Sequence, residues 1–287
     1  MVIQNEQVST RSELEVLNVE AWNQYDWLLH GFSTRDGGVS QTYGGSTLNL
    51  GWTKEDDSAS VVENRKRFLS ALCGQRPGFA LVGVKQIHSY IVRVVNKEDG
   101  ALEGRLQTAD GKAVLQGDGL ITDVPGVLLG VGTADCVPVL VADPLKRAVA
   151  AFHAGWRGTV SRIVERGIAK MQEEYGSRAA DLVAAIGPSI GPCCYTVGEE
   201  VWSKFSAQFD YANELFTRSN DTGQIRLSLW EANRRQLLDA GLAETSVITI
   251  GECTACTRIP GGALRYFSHR AEHGNAGRML NVIGVAS

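Results

Sequence analysis

No run in this 287-residue chain approaches the roughly 20 consecutive apolar residues that a membrane-spanning helix needs, so no transmembrane segment is expected. The opening residues, MVIQNEQVSTRSELEVL, show no basic segment followed by an apolar block. A secretory signal is therefore not expected, and the chain reads as cytoplasmic. Basic charge is not in excess. The 28 Lys and Arg stand against 32 Asp and Glu, a net charge of −4. That excludes a broad attractive field for nucleic acid or an anionic membrane but leaves room for a local basic pocket for one phosphate. Cysteine is too sparse for a disulfide scaffold. Six of them in a reducing compartment are expected as thiols, most of them small buried hydrophobes. Histidine is scarce too, with five residues and no His-x-His segment. A conventional four-copper oxidase centre, built mostly from paired histidines, cannot be assembled from one such chain, although a single copper in a His2Cys site can.

The chain has ordinary globular composition, with 44% hydrophobic and 21% charged residues. No internal repeat or low-complexity linker divides it. A single domain over 1–287 is expected, with residues 1–20 as a peripheral segment. Short apolar runs bounded by Gly, Asp and Pro read as strands: 27–34, 80–84, 89–95, 119–122, 127–131, 137–141, 148–152, 182–186, 247–250 and 279–285. Helical spacing runs over 58–72, over 159–175 with Val160, Ile163, Val164, Ile168 and Met171 on one face, and over 198–209 and 228–240. Strands and helices mix without regular βαβ alternation, which predicts an α+β fold with mixed sheets.

Three donors stand at strand ends, where pockets form. His88 lies between two strand-like runs. Cys136 precedes the apolar run at 137. His153 ends a strand and leads through Ala154-Gly155-Trp156-Arg157-Gly158 into a helix. Two imidazoles and a thiolate suit a catalytic zinc, which takes three protein ligands and keeps a fourth position open. Cys136 and His153 also suit a thiolate–imidazole pair for nucleophilic catalysis. Spacing alone favours neither over two hydrogen-bonded histidines and a buried cysteine with no chemical role, because the three residues are dispersed in the chain. Cys253-x-x-Cys256 has no second pair in sequence and no thioredoxin-like surroundings, so it reads as structural. Vicinal Cys193-Cys194 reads as packing near the Gly187–Gly191 turn. Arg270 and Arg278 place basic groups near the C-terminus, suited either to phosphate or to a solvated face, and His273 is expected to be exposed.

The segments KQIHS (85–89), DGLITD (118–123), TADCVPVLVADP (133–144), FHAGWRGT (152–159), IGPSIGPCCYTVG (186–198) and FSHR…GR (267–278), with the earlier HGFSTRDGGVS…LNLG, together resemble the YfiH-like, laccase-domain family over about residues 28–285. The resemblance implies a four-layer α/β/β/α sandwich similar to the catalytic domain of cytotoxic necrotizing factor. It implies zinc held by His88, Cys136 and His153. It implies phosphorolysis of adenosine, inosine, guanosine and methylthioadenosine, with adenosine deamination beside it. Copper-dependent polyphenol oxidation and thiol hydrolase or amidase work in peptidoglycan precursor editing are the alternatives it carries.

Phosphorolysis requires a phosphate held beside C1′ of the ribose, and guanidinium groups hold phosphate in a bidentate way. Arg35 in the STRDGG turn, Arg65 on the first helix and Arg157 beside His153 are the expected holders, and Asp135 is a candidate general base. A zinc deaminase would direct water to C6 of adenine. The expected partners are thus a purine nucleoside and phosphate, with neither nucleic acid nor membrane.

Overall fold

The computed structural model describes residues 14–74 and 76–286. In chain order the strands are β1 (Val16–Leu17), β2 (Leu28–Ser33), β3 (Asp36–Ser40), β4 (Ala80–Gly83), β5 (Val92–Val94), β6 (Gly119–Thr122), β7 (Val127–Thr133) and β8 (Val137–Asp143). They continue with β9 (Ala148–Ala154), β10 (Val183–Ile186), β11 (Thr196–Val197), β12 (Phe216–Arg218), β13 (Ile225–Leu227), β14 (Val247–Thr249) and β15 (Met279–Val285). The helices are α1 (Ser58–Cys73), α2 (Trp156–Val160), α3 (Ile163–Tyr175), α4 (Glu199–Ser206), α5 (Ala212–Leu215) and α6 (Leu229–Asp239). None is long and apolar enough to cross a membrane.

Five strands form one sheet in the order β1-β2-β15-β7-β4, and six form another in the order β14-β10-β8-β9-β6-β5. Both are mixed: β4–β7, β5–β6 and β10–β14 pair parallel, and the remaining neighbours pair antiparallel. The side-chain period of two decides how the sheets stack. Along β6, β8 and β9, Leu120, Leu140, Ala142, Val149 and Ala151 face one way and meet Phe32, Val82, Leu129, Val131 and Ile283 of the other sheet. The alternate residues Ile121, Val139, Val141, Ala150 and Phe152 face outward, under Ile163, Ile168 and Met171 of α3 and Leu229 and Leu237 of α6. On the opposite outer face, Leu81, Leu128, Leu280 and Val282 are covered by Phe68 and Cys73 of α1. The stack is α/β/β/α, the layering that the resemblance implied.

Two expectations are corrected. The helix read over 159–175 is two helices, α2 and α3, broken at Arg162, whose backbone is left-handed (φ 61°). Its side chain compensates locally, pairing with Glu165 at 2.7 Å and lying over the Phe209 ring. Residues 14–20 are not peripheral: β1 pairs with β2, and Val19 is buried. Residues 1–13 lie outside the described residues.

The chain passes from the five-stranded to the six-stranded sheet between β4 and β5 and again between β7 and β8. Both passages lie at one rim. β4 and β7 run parallel toward it, β8 starts there opposite the end of β9 (Val137 against Ala154), and β7 ends there opposite the start of β15 (Thr133 against Met279).

Candidate metal centre

Each of the three donors comes to that rim from a different segment. His88 lies on the first passage, Cys136 on the second, and His153 on β9 opposite Pro138. Their ligating atoms all lie within 4.8 Å of one another. The imidazoles of His88 and His153 meet edge to face, 5.1 Å between centroids. His153 is buried, Cys136 half-buried and His88 exposed, so the trio runs from the interior to the surface. Gly155 allows this approach: a Cβ there would sit 3.0 Å from the Cys136 sulfur and 3.4 Å from the His88 ring. Two nitrogens and one sulfur, gathered at a cavity wall, fit a three-ligand metal centre with a position left open.

Asp118, wholly buried at the start of β6, organises the trio. It accepts backbone N–H bonds from Ile87 (3.3 Å), His88 (3.0 Å) and Ser89 (2.5 Å), and the Ser89 hydroxyl at 2.7 Å. These bonds hold His88 in its left-handed backbone conformation (φ 56°). The same carboxylate lies 2.9 Å from Nδ1 of His153, which fixes the proton on Nδ1 and leaves the Nε2 lone pair for a metal. Burial raises the Asp118 carboxyl, but the bonds from His153 and Ser89 outweigh it and bring it down to about 2. Burial likewise pushes the Cys136 thiol up, and the charge and hydrogen bonds of His153 and His88 reverse this, to about 6. For His153, burial lowers the imidazole, and Cys136 and Asp118 raise it to about 9. Thiolate and imidazolium therefore stabilise each other when no ion is bound.

The donors line a cavity of about 950 Å³. Arg65, Arg157, Arg270, Arg278, Lys85 and Lys112 also line it, and Asp135 is the only carboxylate among its described lining residues. The described lining is thus cationic on balance. Arg65 donates Nε to the Leu50 carbonyl at 2.9 Å and lies over Trp52. Burial lowers it to about 10, so it stays charged at neutral pH. Arg157 lies over Trp156. Arg270 is held by Thr196 and lies over Tyr195, and Arg278 is held by the carbonyls of Ala276 and Gly277.

Not every expected site residue arrives here. Arg35 is outside the cavity lining: it pairs with Glu272 at 2.6 Å and bonds the Tyr43 carbonyl, so its charge is already satisfied. Asp135 does reach the wall, but its carboxylate is occupied. Oδ1 accepts from Thr254 and Ser268 hydroxyls, each at 2.7 Å, and Oδ2 accepts from the Arg270 amide at 2.6 Å. Arg270 and Arg278, which the sequence left between phosphate and a solvated face, line the cavity. Asp118 was missed as a functional residue. The only signal for it was its place at the head of the DGLITD segment.

Sandwich and donor set together define an enzyme with a three-donor centre at one rim of two packed sheets. The chain belongs to the multi-copper polyphenol oxidoreductase laccase family, whose model matches residues 29–286. It is 38% identical over 254 residues to purine nucleoside phosphorylase YlmD of Geobacillus stearothermophilus, covering 88% of this chain and 89% of that one. It is 33% identical over 256 residues to adenosine deaminase RL5 of an unknown prokaryotic organism, covering 89% and 93%. Among solved structures, the YfiH protein of Bacillus licheniformis superposes with a TM-score of 0.82 at 34% identity, over 94% of this chain and 96% of that one.

Proposed function

We propose that this chain is a cytoplasmic, zinc-dependent purine nucleoside phosphorylase, acting on adenosine, inosine, guanosine and methylthioadenosine, with adenosine deaminase activity. The observation that carries the reading is the convergence of His88, Cys136 and His153 on the wall of a cationic cavity. The names of the relatives support the substrate class. His88, Cys136 and His153 would hold the ion, which when bound supplies Lewis acidity at the cavity wall.

The chain's own residues divide the remaining work. Arg65, with Arg157 and Arg278 on the same cavity lining, binds and orients the phosphate dianion. Trp52, Trp156 and Tyr195 each carry an arginine over one ring face, so a purine would stack on the other face of one of them. In phosphorolysis a phosphate oxygen forms the bond to C1′ as the C1′–N9 bond breaks. The electron pair leaves with N9, which takes a proton, and the products are ribose 1-phosphate and free base. In deamination water adds at C6 and ammonia departs. Asp135, its oxygens engaged, acts as a positioning residue for the Cys136 turn rather than as the base.

The test is a product assay on protein of measured zinc content, with adenosine in the presence and absence of phosphate. Adenine and ribose 1-phosphate appearing only with phosphate, and inosine appearing without it, are expected; Cys136→Ala should abolish both. Turnover that follows added copper on phenols would instead favour the oxidase that the family name suggests. Activity surviving metal removal but not thiol alkylation would favour a thiol hydrolase.

A further inference from the structure

A second cluster of donors lies outside the site described above. The sulfurs of Cys193, Cys194, Cys253 and Cys256 all lie within 4.8 Å of one another. The sequence separates the two pairs by some sixty residues, but the fold joins them. β10 and β14 are parallel neighbours, and the turns that follow them leave the sheet side by side, with Ser189 bridged to Cys253. Cysteines 193 and 194 sit on the first turn, closed by the Cys194 amide donating to the Gly191 carbonyl at 3.0 Å. The second turn is a Cys-x-x-Cys loop, closed by the Thr257 amide donating to the Cys253 carbonyl at 2.9 Å.

Three observations argue against simple packing. Cys193 and Cys256 are exposed, the opposite of what a small buried hydrophobe requires. The Cys193 and Cys256 sulfurs are 3.6 Å apart. That is far beyond a disulfide bond of about 2.05 Å and close to the roughly 3.8 Å edge of a tetrahedron whose four sulfurs stand about 2.3 Å from a central zinc. Third, the most buried sulfur, Cys253, accepts backbone N–H bonds from Gly191, at 3.2 Å, and from Ala255. Amides aimed at sulfur stabilise thiolate, as the looped halves of four-thiolate zinc sites do.

We propose that Cys193, Cys194, Cys253 and Cys256 form a second zinc site, closed by four thiolates and separate from the catalytic centre. Each thiol gives up its proton as its sulfur takes a place on the ion, and no redox change is involved. The ion clamps the two turns together. They in turn buttress the catalytic loop: the Ile190 amide donates to the Asp135 carbonyl at 2.9 Å and the Thr254 hydroxyl to the Asp135 carboxylate at 2.7 Å, next to Cys136. The site is structural, with no coordination position left for substrate.

The experiment uses the full chain purified under reducing conditions, with metal counted by elemental analysis. Wild type is expected to hold about two zinc ions, and His88→Ala and Cys256→Ser about one each. The His88→Ala protein, stripped and reloaded with cobalt, is expected to show intense thiolate-to-cobalt charge transfer. Adding Cys256→Ser, or Cys253→Ser where that chain folds better, should remove it. Absence of that absorption in folded, reduced His88→Ala protein overturns the proposal. So does iron in place of zinc, or a mass two hydrogens lighter that shows a disulfide. Loss of the catalytic ion alone leaves the Cys-cluster metal in place, so failure of the two readings is distinguishable.

Discussion

At the scale of single residues, Asp118 is the group on which the donors depend. One carboxylate sets both the tautomer of His153 and the backbone of His88. Asp118→Asn keeps the shape but loses the charge, and zinc affinity or turnover is expected to fall by on the order of 10- to 100-fold. A chelator-competition titration measures it, and unchanged affinity would refute the role. His30 gives a separate, pH-linked expectation. It is buried beside Trp22 and accepts the Val19 amide on Nε2 at 2.9 Å. Burial pulls it from the ordinary 6.5 to about 4. Between those values the unfolded chain binds the proton and the folded chain does not, so stability falls as pH drops through that window. The full effect is roughly 3 kcal/mol. Denaturant titrations of wild type and His30→Gln should diverge by that amount between about pH 7 and pH 4; parallel curves would exclude it. The donors themselves were legible in the sequence because imidazole and thiol are rare and sit at strand ends. Asp118 was not, because its partner is 35 residues away and meets it only through the pairing of β6 with β9. Arg35 was misplaced for the same reason: Glu272, which neutralises it, is 237 residues distant.

Among the elements, the contact between β9 and α3 carries His153 indirectly. A Cβ on Gly167 of α3 would fall 2.1 Å from the Phe152 ring, the residue before His153. Alanine is the better helix former by about 1 kcal/mol, but overpacking a close contact costs about 1–3 kcal/mol. Gly167→Ala is therefore expected to lower the denaturation midpoint and to weaken metal binding, measured by urea unfolding and zinc titration. A gain in stability would show that the helix shifts freely. Long apolar runs such as β7, β8, β9 and β15 were readable because burial on both faces leaves a continuous hydrophobic signature. The break at Arg162 was not, since the apolar face of α3 continues the pattern across it. The small antiparallel sheet of β11, β12 and β13 was invisible as well, because strands of two or three residues hold too little periodicity to detect.

For the whole molecule, the three donors His88, Cys136 and His153 bridge the two sheets, since two of them sit on the passages from one sheet to the other. An ion held by all three would tie the rim together, so under the proposed function stripping zinc should loosen both layers at once. Adding zinc at about 100 times its dissociation constant should stabilise the metal-free chain by roughly 2.7 kcal/mol. Amide exchange should slow together at residues 84–91 and 133–137; slowing at only one stretch would contradict the bridging. The four-layer stack could be anticipated from the family resemblance, and the mixed sheets from the lack of βαβ alternation. The pairing of the two cysteine turns could not, because it depends on β14 lying beside β10.

His88 occupies a left-handed backbone position where glycine would be more relaxed by about 1–2 kcal/mol. Without an ion bound, His88→Gly should therefore be the sturdier chain and an inert one. A laboratory screen that rewarded heat resistance alone would discard the donor, and only a screen that also demanded turnover would keep it.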